Sequence, residues 1–473
     1  MIATIVRKEV LEFRRDRLFL ALAAVVIVLL AAASLDGWNR SSADSAARLA
    51  AEVTDRRVWV EQGENNPHGA AHFARYAFRQ TPALAAFDPG VFDYAGAAFW
   101  MEAHTQNPTT LRRTEDAAVQ APFATLTPAW IIQIVGTLAL AVLLFPAVAG
   151  ERERGTLRAL STAGVDPRTV ALGKAGAVFV FVGTMTLLLI AAPLLPALFA
   201  GDVAREAGRL LALVACYCAA LLAFAALILG VSASNRSVGA AFAAAAVCWL
   251  FMALLWPILA GQLAVSLYPD IDEQELKNDI QLQAQTPFWV GDAQEDAVAA
   301  LEAEVLAEFG AEDFESLGFD REGLVLQAHE VFSGKIYDRL YGELYGMHRR
   351  QDEVLRYASV LSPLLALSRL SSGLAGTDLL AQQSFAEQSE RHRRMIIAQL
   401  NRDMMVNAGD QAFAYMADRS LWESIADFRA QPPSLRSTLS YYWFEIAVLL
   451  LWLGGAALFA LRATSRALLA EAR

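Results

Sequence analysis

Apolar residues occur along this chain in six windows, each long enough to cross a lipid bilayer. A bilayer core of about 30 Å requires about 20 apolar residues per helix. Five windows contain no charged residue, namely 18–35, 117–150, 175–201, 210–235 and 237–269. A sixth window, 437–461, is interrupted only by Glu445. The pattern predicts six transmembrane helices, at 18–36, 128–149, 172–198, 209–231, 238–261 and 439–461.

The first 17 residues have a helical periodicity of their own. One apolar stripe, with charged residues opposite it, is formed by Ile2, Ile5, Val6, Val10 and Phe13. This pattern predicts an amphipathic helix over 1–17 that lies at the membrane surface and leads into the first span. The basic leader, the apolar run and the AAAS at 31–34 are also compatible with a cleaved signal peptide. We favour the uncleaved helix because of the stripe.

Two long polar segments, 37–127 and 262–438, separate the predicted spans. In the first, Asn66 and Pro67 are suited to cap and begin a helix. The second has helical periodicity at 294–310, 350–370 and 383–406, with Gly310 suited to end the first of these helices and Pro363 expected to interrupt the next. The predicted fold class is an all-α membrane protein with six transmembrane helices, an interfacial N-terminal helix and a mostly helical extracytoplasmic domain.

The distribution of Lys and Arg near the span ends predicts the orientation. Basic residues are present in the N-terminal helix, in the loop at 150–171, at Arg236 and in the tail at 462–473. With six spans these four regions fall on one face, which the positive-inside rule makes cytoplasmic. Both termini are therefore predicted inside, and segments 37–127 and 262–438 outside.

Composition supports a membrane protein. Of 473 residues 56% are hydrophobic and 19% charged, whereas about 25% of the residues of a typical soluble domain are charged. The net charge is −11, and negative charge is concentrated between residues 270 and 322, a stretch that contains 16 acidic residues and two basic ones. This stretch is either a solvated face of acidic helices or an attractive field for a cationic partner. The three cysteines lie within predicted spans and indicate no disulfide framework: Cys216, Cys218 and Cys248.

Motifs for catalysis, metal binding or nucleotide binding are absent from the sequence. The string nearest to a phosphate-binding loop, Gly150-ERER-Gly155-Thr156, lacks the lysine and places two Glu where phosphates would lie. His68 and His72 are four residues apart on a predicted helix, but two ligands make an incomplete metal site. We therefore predict no catalytic residue, no metal and no cofactor on this chain, and no nucleic-acid partner.

The most distinctive stretch is ERERGTLRALSTAGVDPRT at 151–169, between the second and third spans. A helical extension of the second span past Gly150 would provide a stiff lever into the water. Its Glu and Arg side chains would give directional contacts to a partner surface, and Leu157 and Leu160 would form a small apolar foot. The alternative is a solvated loop that contacts no partner.

The residues around this loop resemble those of permease subunits of type-2 ABC transporters. A span ends in FPAVAG, ERERGTLRAL follows, and Lys174 opens the next span after a polar turn. The stretch LSPLLALSRLSSGLAGTD at 361–378 is similar to a bacterial subgroup with long outer segments. The resemblance implies a coupling loop at 150–171 that docks on a separate ATP-hydrolysing subunit. The implied coupling residues are Glu151, Arg152, Glu153, Arg154, Gly155, Thr156, Leu157 and Leu160.

The resemblance also implies partners and location. ATP and Mg would bind two copies of the ATPase subunit, and a second permease subunit, identical or similar, would complete the path through a bacterial inner membrane. The expected activity is translocation, with export favoured, and a periplasmic partner could receive the cargo. The alternative is that the ATPase moves the outer domain mechanically, without transport through the bundle. An integral membrane enzyme is the least favoured class.

Glu445 is the acidic residue that interrupts the sixth apolar window. It lies beside Tyr441, Tyr442 and Trp443, which are typical of an interfacial aromatic belt. Its carboxylate either extends to the headgroups or belongs to a translocation path, because acids within membranes are costly and often functional.

Overall fold

The computed structural model describes residues 1–15, 17–73, 75–111, 126–199 and 203–471, and this part of the chain is predominantly helical. Parts of two predicted segments, residues 112–125 of the first outer segment and 472–473 of the tail, lie outside the described residues. The predicted all-α class is confirmed. A small sheet that the periodicity did not predict pairs β1 (Arg75–Phe78) antiparallel with β2 (Ala98–Met101). Strands of four residues are too short to give a clear alternating pattern.

The helices follow one another with few long connections. In chain order they are α1 (Ile2–Arg15), α2 (Arg17–Val60), α3 (Pro67–Phe73), α4 (Pro128–Glu153), α5 (Thr156–Thr162), α6 (Pro167–Phe199), α7 (Val203–Ser234), α8 (Val238–Leu267), α9 (273–290), α10 (Ala293–Phe309), α11 (Arg321–Ala358), α12 (Pro363–Ala375), α13 (Leu379–Asn407), α14 (Arg419–Ser424), α15 (Leu435–Tyr441) and α16 (Trp443–Glu471). Short 3₁₀ turns lie at Ala83–Ala86, Glu315–Leu317, Ser359–Leu361 and Gly409–Ala414.

Five helices in the described part of the chain are long and apolar enough to cross a membrane. They are α2, α4, α8, α16 and, over Glu206–Ser234, α7. Four of them contain a predicted span, and α16 covers most of a fifth, 439–461, whose first residues belong to α15. The remaining one, 172–198, lies within α6, a 33-residue helix that is not among these five. The count of six therefore stays a prediction.

The first span is part of a much longer helix than the hydrophobic window indicated. α2 has 44 residues and continues without a break to Val60, well past the predicted boundary at 36. The residues beyond the window, 37–60, are more polar but include five Ala and four Arg, which are good helix formers. The apolar window therefore located the membrane segment, whereas the end of the helix was determined by residues in water.

The apolar helices bring distant parts of the chain together at each end. At one end Arg152 donates a hydrogen bond to the Ala233 carbonyl at the end of α7 (3.3 Å) and pairs with Glu471 at the end of α16 (3.3 Å). At the other end Arg209, near the start of α7, donates to the Leu374 carbonyl at the end of α12 (3.0 Å). α7 and α16 pack along each other between these ends.

The helices of the two long polar segments, 37–127 and 262–438, agree with the sequence predictions. α10 ends at Gly310, which has a left-handed φ of 65°. α11 stops at Ala358, and Pro363 occupies the first turn of α12. The side chain of Asn66 accepts hydrogen bonds from the backbone of His68 (2.9 Å) and Gly69 (3.1 Å), so the predicted cap of α3 is confirmed.

α12 connects the helices of the long polar segments, 37–127 and 262–438, to the apolar bundle. Its leucines are buried against α7 and α16. Its Ser371 hydroxyl lies 3.0 Å from the Tyr217 hydroxyl of α7, which in turn accepts from the Gln133 amide of α4 (2.8 Å). The stretch at 361–378 that carried part of the family resemblance is therefore the contact between the two parts of the molecule.

Candidate functional site

The loop at 150–171 is joined to the N-terminal helix by a buried cluster of charges. Lys174 Nζ lies 2.9 Å from Glu9 Oε1 and 2.9 Å from Glu151 Oε2, and Lys8 Nζ lies 2.7 Å from Glu151 Oε1. We call Lys8, Glu9, Glu151 and Lys174 the basal charge cluster. Lys174 also donates to the Ala147 carbonyl (3.0 Å). The cluster therefore ties α1 to the end of α4 and the start of α6.

Within the basal charge cluster two positive side chains face two negative ones, and Lys8, which is partly exposed, also pairs with Glu12 at 3.0 Å. Lys174 is 2% exposed and Glu151 4%, so each would be strongly destabilised by loss of its partners. Removing one member of a buried ion pair typically costs about 3–5 kcal/mol, because the other charge is left without compensation. The cluster is thus expected to fix the position of α1 against the loop.

The second half of the loop forms the short helix α5. Gly155 precedes it with a left-handed φ of 73°, so the chain turns sharply between α4 and α5. Leu157 is fully buried and Leu160 packs against the same core, beside α16. The predicted apolar foot therefore packs within this chain.

Charged residues at the end of α4 also bind neighbouring helices of the same chain. Glu153 Oε1 accepts a hydrogen bond from the backbone N–H of Val238 (2.7 Å), at the start of α8. Arg152 binds the ends of α7 and α16, with a further hydrogen bond to the Asn235 carbonyl. The end of α4 is thus the place where α7, α8 and α16 meet.

These contacts revise the predicted coupling surface. Glu151 and Leu157 point into the chain, and sequence spacing could not reveal which face of the loop is buried. Sequence-predicted coupling residues that are exposed are Glu153, Arg154, Gly155 and Thr156, and Arg158 lies beside them. These residues, with Arg152 and Leu160 half-buried at the edge, form what we call the loop face. Contact between the loop face and an ATPase stays a prediction.

Glu445 lies in a second buried group of charges, where α16 meets α11 and α12. It is 0% exposed, and its Oε1 accepts from Arg369 Nε at 2.8 Å. Arg369 also binds both oxygens of Asp352 (2.7 and 3.0 Å), and the Tyr441 hydroxyl donates to Asp352 Oδ2 (2.8 Å). Glu445 therefore faces an arginine inside the chain rather than the headgroups. A role in a translocation path stays a prediction.

Outside the apolar bundle, the structure brings four histidines together. His68 Nε2 and His72 Nε2 of α3 lie 3.1 Å apart, and His104 Nδ1 lies 2.9 Å from His329 Nδ1 of α11. The ligand atoms of His68, His72 and His104 all lie within 4.8 Å of one another. We call these three residues the histidine triad. Burial, followed by the nearby imidazole of His104, lowers the pKa of His68 to about 4, so its ring is neutral at pH 7.

The histidine triad is supported by a buried carboxylate on α11. Glu330 Oε1 lies 3.2 Å from His104 Nδ1, and its Oε2 lies 2.9 Å from Arg393 Nη1 of α13. Burial alone would raise the pKa of Glu330, but Arg393 and the hydrogen bonds from His104 outweigh it and hold the pKa at about 2. Glu330 is therefore a charged hydrogen-bond acceptor at neutral pH. Arg393 also pairs with the carboxylate of Glu390.

Sequence reasoning found only part of these groups. His68 and His72 were visible through their spacing of four, whereas His104 lies more than 30 positions further along the chain and the adjacent residues His329 and Glu330 lie on α11. Lys8 and Glu9 were not singled out within the N-terminal helix. In each case the missing information is tertiary, because the contacts join separate segments, and Lys174 and Glu9 are 165 positions apart.

Comparison with known proteins identifies one segment of the chain. A family model described as a domain of unknown function (DUF3526) matches residues 275–431. This segment contains α10 to α14, and with them Glu330, Asp352, Arg369 and Arg393. No curated protein and no solved structure matches the chain.

Proposed function

We propose that this chain is the membrane-spanning permease subunit of a type-2 ABC transporter, and that a separate ATPase subunit drives it through the loop at 150–171. The observation that carries the proposal is the loop face. It is a charged, exposed surface on a loop whose opposite side is anchored by the basal charge cluster, by Leu157 and by Arg152. A push on such a surface would be transmitted to α1, α4, α6 and α16 together.

The contacts at the two ends of the bundle support six spans with the loop inside. The ends of α4, α7 and α16 meet at Arg152, and the first part of α6 lies beside them, where Lys174 pairs with Glu151. α6 also contacts the 3₁₀ turn Ala83–Ala86 of the first outer segment. A helix that begins at one end of the bundle and contacts the outer segment at the other would have to cross the membrane.

Site-specific photo-crosslinking tests the proposed coupling. A photoreactive amino acid at Arg158 is expected to crosslink a nucleotide-binding ATPase in native membranes. The same amino acid at Arg391, whose side chain is 66% exposed in the outer domain, is the matched control and should not. Recovery of no ATPase from position 158, or equal recovery from both positions, would contradict the proposal.

A second candidate function is mechanical transmission to a partner outside the membrane. It is favoured by the stiffness of the connection between bundle and outer domain. α2 is unbroken for 44 residues, about 66 Å at about 1.5 Å per residue. The Asp352–Arg369–Glu445 group ties α11 and α12 to α16 through buried ion pairs. Such a connection would pass movement of the bundle to the outer helices.

Hydrogen exchange would separate the two functions. If the outer domain is moved mechanically, ATP should change the exchange of α13 in the assembled complex, and Asp352→Asn should abolish that change while ATPase co-purification persists. An exchange pattern of α13 that is identical with and without ATP would eliminate mechanical transmission and leave transport as the proposal.

A further inference from the structure

The histidine triad is the strongest candidate for a ligand site outside the bundle. Four of the six histidines in the chain lie in or beside this triad. His68 and His72 come from α3, His104 comes from the segment after β2, and His329 of α11 lies beside His104 with their Nδ1 atoms 2.9 Å apart. Surface histidines that serve only solubility have no reason to converge from three segments. The convergence therefore requires a chemical explanation.

The spacing of the triad fits a tetrahedral transition-metal ion. Two imidazole nitrogens, each about 2.0–2.1 Å from a tetrahedral zinc, lie about 3.3 Å apart. The Nε2 atoms of His68 and His72 are 3.1 Å apart, and the third ligand atom, from His104, lies within 4.8 Å of both. Small side-chain rotations would close this triangle on an ion.

His104 is held ready by its backbone. Its φ of 63° is in the left-handed region, which costs free energy for a residue with a side chain and is often found at functional sites. Its N–H donates to Glu330 Oε1 (2.5 Å), and its carbonyl accepts from Tyr337 (2.6 Å) and Gln285 (2.6 Å). Three hydrogen bonds thus fix a strained residue whose ring faces α3.

Glu330 has the position of an outer-shell partner. A histidine that binds a metal through one nitrogen usually donates its other N–H to a carboxylate, which fixes the ring and the tautomer. Glu330 Oε1 lies 3.2 Å from His104 Nδ1. His329 Nδ1 lies on the same side, 2.9 Å from His104 Nδ1, so the carboxylate and this second imidazole together would hold Nδ1 and leave the second nitrogen of His104 free for the ion.

We propose that His68, His72 and His104 bind one divalent transition-metal ion of the zinc and copper class, with Glu330 positioning His104. Imidazole ligands suit these ions. His72 is exposed and the other two ligands are half-buried, so the ion would enter from solvent and keep a fourth position for water, as in open three-ligand sites. The site joins α3 to the segment matched by the DUF3526 model, which contributes Glu330.

Zinc binding to the full-length chain in detergent tests the site. After removal of metals with a chelator, the wild-type chain is expected to bind one Zn²⁺ per chain, and Co²⁺ in its place should give the visible absorption bands of tetrahedral coordination. His72→Ala removes an exposed ligand, and His104→Asn removes a half-buried one while keeping a residue type that tolerates positive φ. Each substitution should lower the Zn²⁺ affinity by more than about 100-fold. Loss of a residue that only positions a ligand typically lowers the affinity by about 10–100-fold.

His392→Ala is the matched control. His392 lies on α13 outside the triad and contacts the Ala426 carbonyl at 3.2 Å, so its loss should leave zinc affinity unchanged. Zn²⁺ should also raise the thermal midpoint of the wild type and of this control, but not of His72→Ala, because a ligand that binds only the folded state stabilises it. Absence of bound zinc in the wild type, wild-type affinity in His72→Ala, or loss of zinc in His392→Ala would each overturn the proposal.

Discussion

Three buried basic side chains, Lys174, Arg369 and Arg393, hold this molecule together at points far apart in sequence. Each lies between two carboxylates. A buried charge is costly unless it is paired and hydrogen-bonded, and replacing it by a neutral residue leaves its partners uncompensated. These side chains therefore specify which segments meet, whereas the apolar contacts alone would tolerate alternatives.

Asp352 and Asp338 offer a matched test of this idea, because both lie on α11 and both bind an arginine of another helix. Asp352 is mostly buried with Arg369, whereas the side chain of Asp338 is 66% exposed beside Arg394. We expect Asp352→Asn to destabilise the chain by about 3 kcal/mol and Asp338→Asn by less than about 1 kcal/mol. Thermal unfolding of both variants in the same detergent measures the difference; equal midpoints would contradict the role of the buried group.

The effect of Asp352→Asn should also depend on pH. Burial by itself would raise the pKa of Asp352, but the hydrogen bond and charge of Arg369 and the Tyr441 hydroxyl outweigh it and lower the pKa. A carboxylate with a lowered folded-state pKa contributes its stability above the ordinary aspartate pKa, about 3.9, and loses it as the pH falls through the folded-state value. The difference in unfolding free energy between the wild type and Asp352→Asn should therefore be largest at pH 7 and should decrease below about pH 4.

Individual residues were the part of the site that sequence predicted least well. The family pattern included Glu151 and Lys174, but it could not reveal that they pair with each other (2.9 Å) or that Glu9 completes the cluster. Glu445 was recognised as unusual because it interrupts an apolar window. Its arginine lies 76 positions away on a helix outside the windows, and hydropathy carries no information on such a partner.

At the scale of elements, α1 is held against α6 by close approach as well as by charge. Gly173 of α6 faces Ile5 of α1, and a methyl group at Gly173 would lie 2.6 Å from Ile5 Cγ2 and 2.7 Å from Ile5 Cβ. Gly176, one turn further along, faces Val6. The apolar stripe that predicted an interfacial helix therefore packs partly on a neighbouring helix of the chain, which the stripe alone could not distinguish from a lipid surface.

We expect Gly173→Ala to displace α1 from α6. The new methyl group has no room, and overpacking of this kind typically costs about 1–3 kcal/mol. Gly183→Ala, in the same helix, is the control because nothing lies within 4 Å of a methyl group there. Faster hydrogen exchange in α1 for Gly173→Ala, with no increase for Gly183→Ala, is the expected result. Unchanged exchange in both variants would show that the close contact does not position α1.

Elements were predicted better where their signal is local. The end of α10 at Gly310 and the start of α12 at Pro363 follow from the conformations that these two residue types favour. The end of α2 at Val60 did not follow from the apolar window, and neither did the pairing of β1 with β2. Both depend on residues outside the apolar windows that contact other segments, such as the buried Trp59, whose Nε1 donates to the Trp422 carbonyl at 3.0 Å.

At the scale of the whole molecule, the number of crossings decides on which side each functional surface lies. With six spans, the loop face and the histidine triad are on opposite sides of the membrane. If α6 did not cross, every segment after it would change sides, and residues 262–438 would share the compartment of the loop face. The proposed ATPase contact requires the loop face to lie on the cytoplasmic side. The proposed metal site requires only access to solvent, on either side of the membrane.

Cysteine labelling distinguishes the two topologies. After replacement of Cys216, Cys218 and Cys248, single cysteines at Ala163 in the loop and at Arg391 in α13 report on the two sides, since both positions are exposed. A membrane-impermeant maleimide should label Arg391→Cys from the outer face of the intact inner membrane and Ala163→Cys only after permeabilisation. The positive charges near the loop and the termini favour this orientation. Labelling of both positions from the same side would mean that α6 does not cross, and labelling of Ala163→Cys from the outer face would contradict contact between the loop face and a cytoplasmic ATPase.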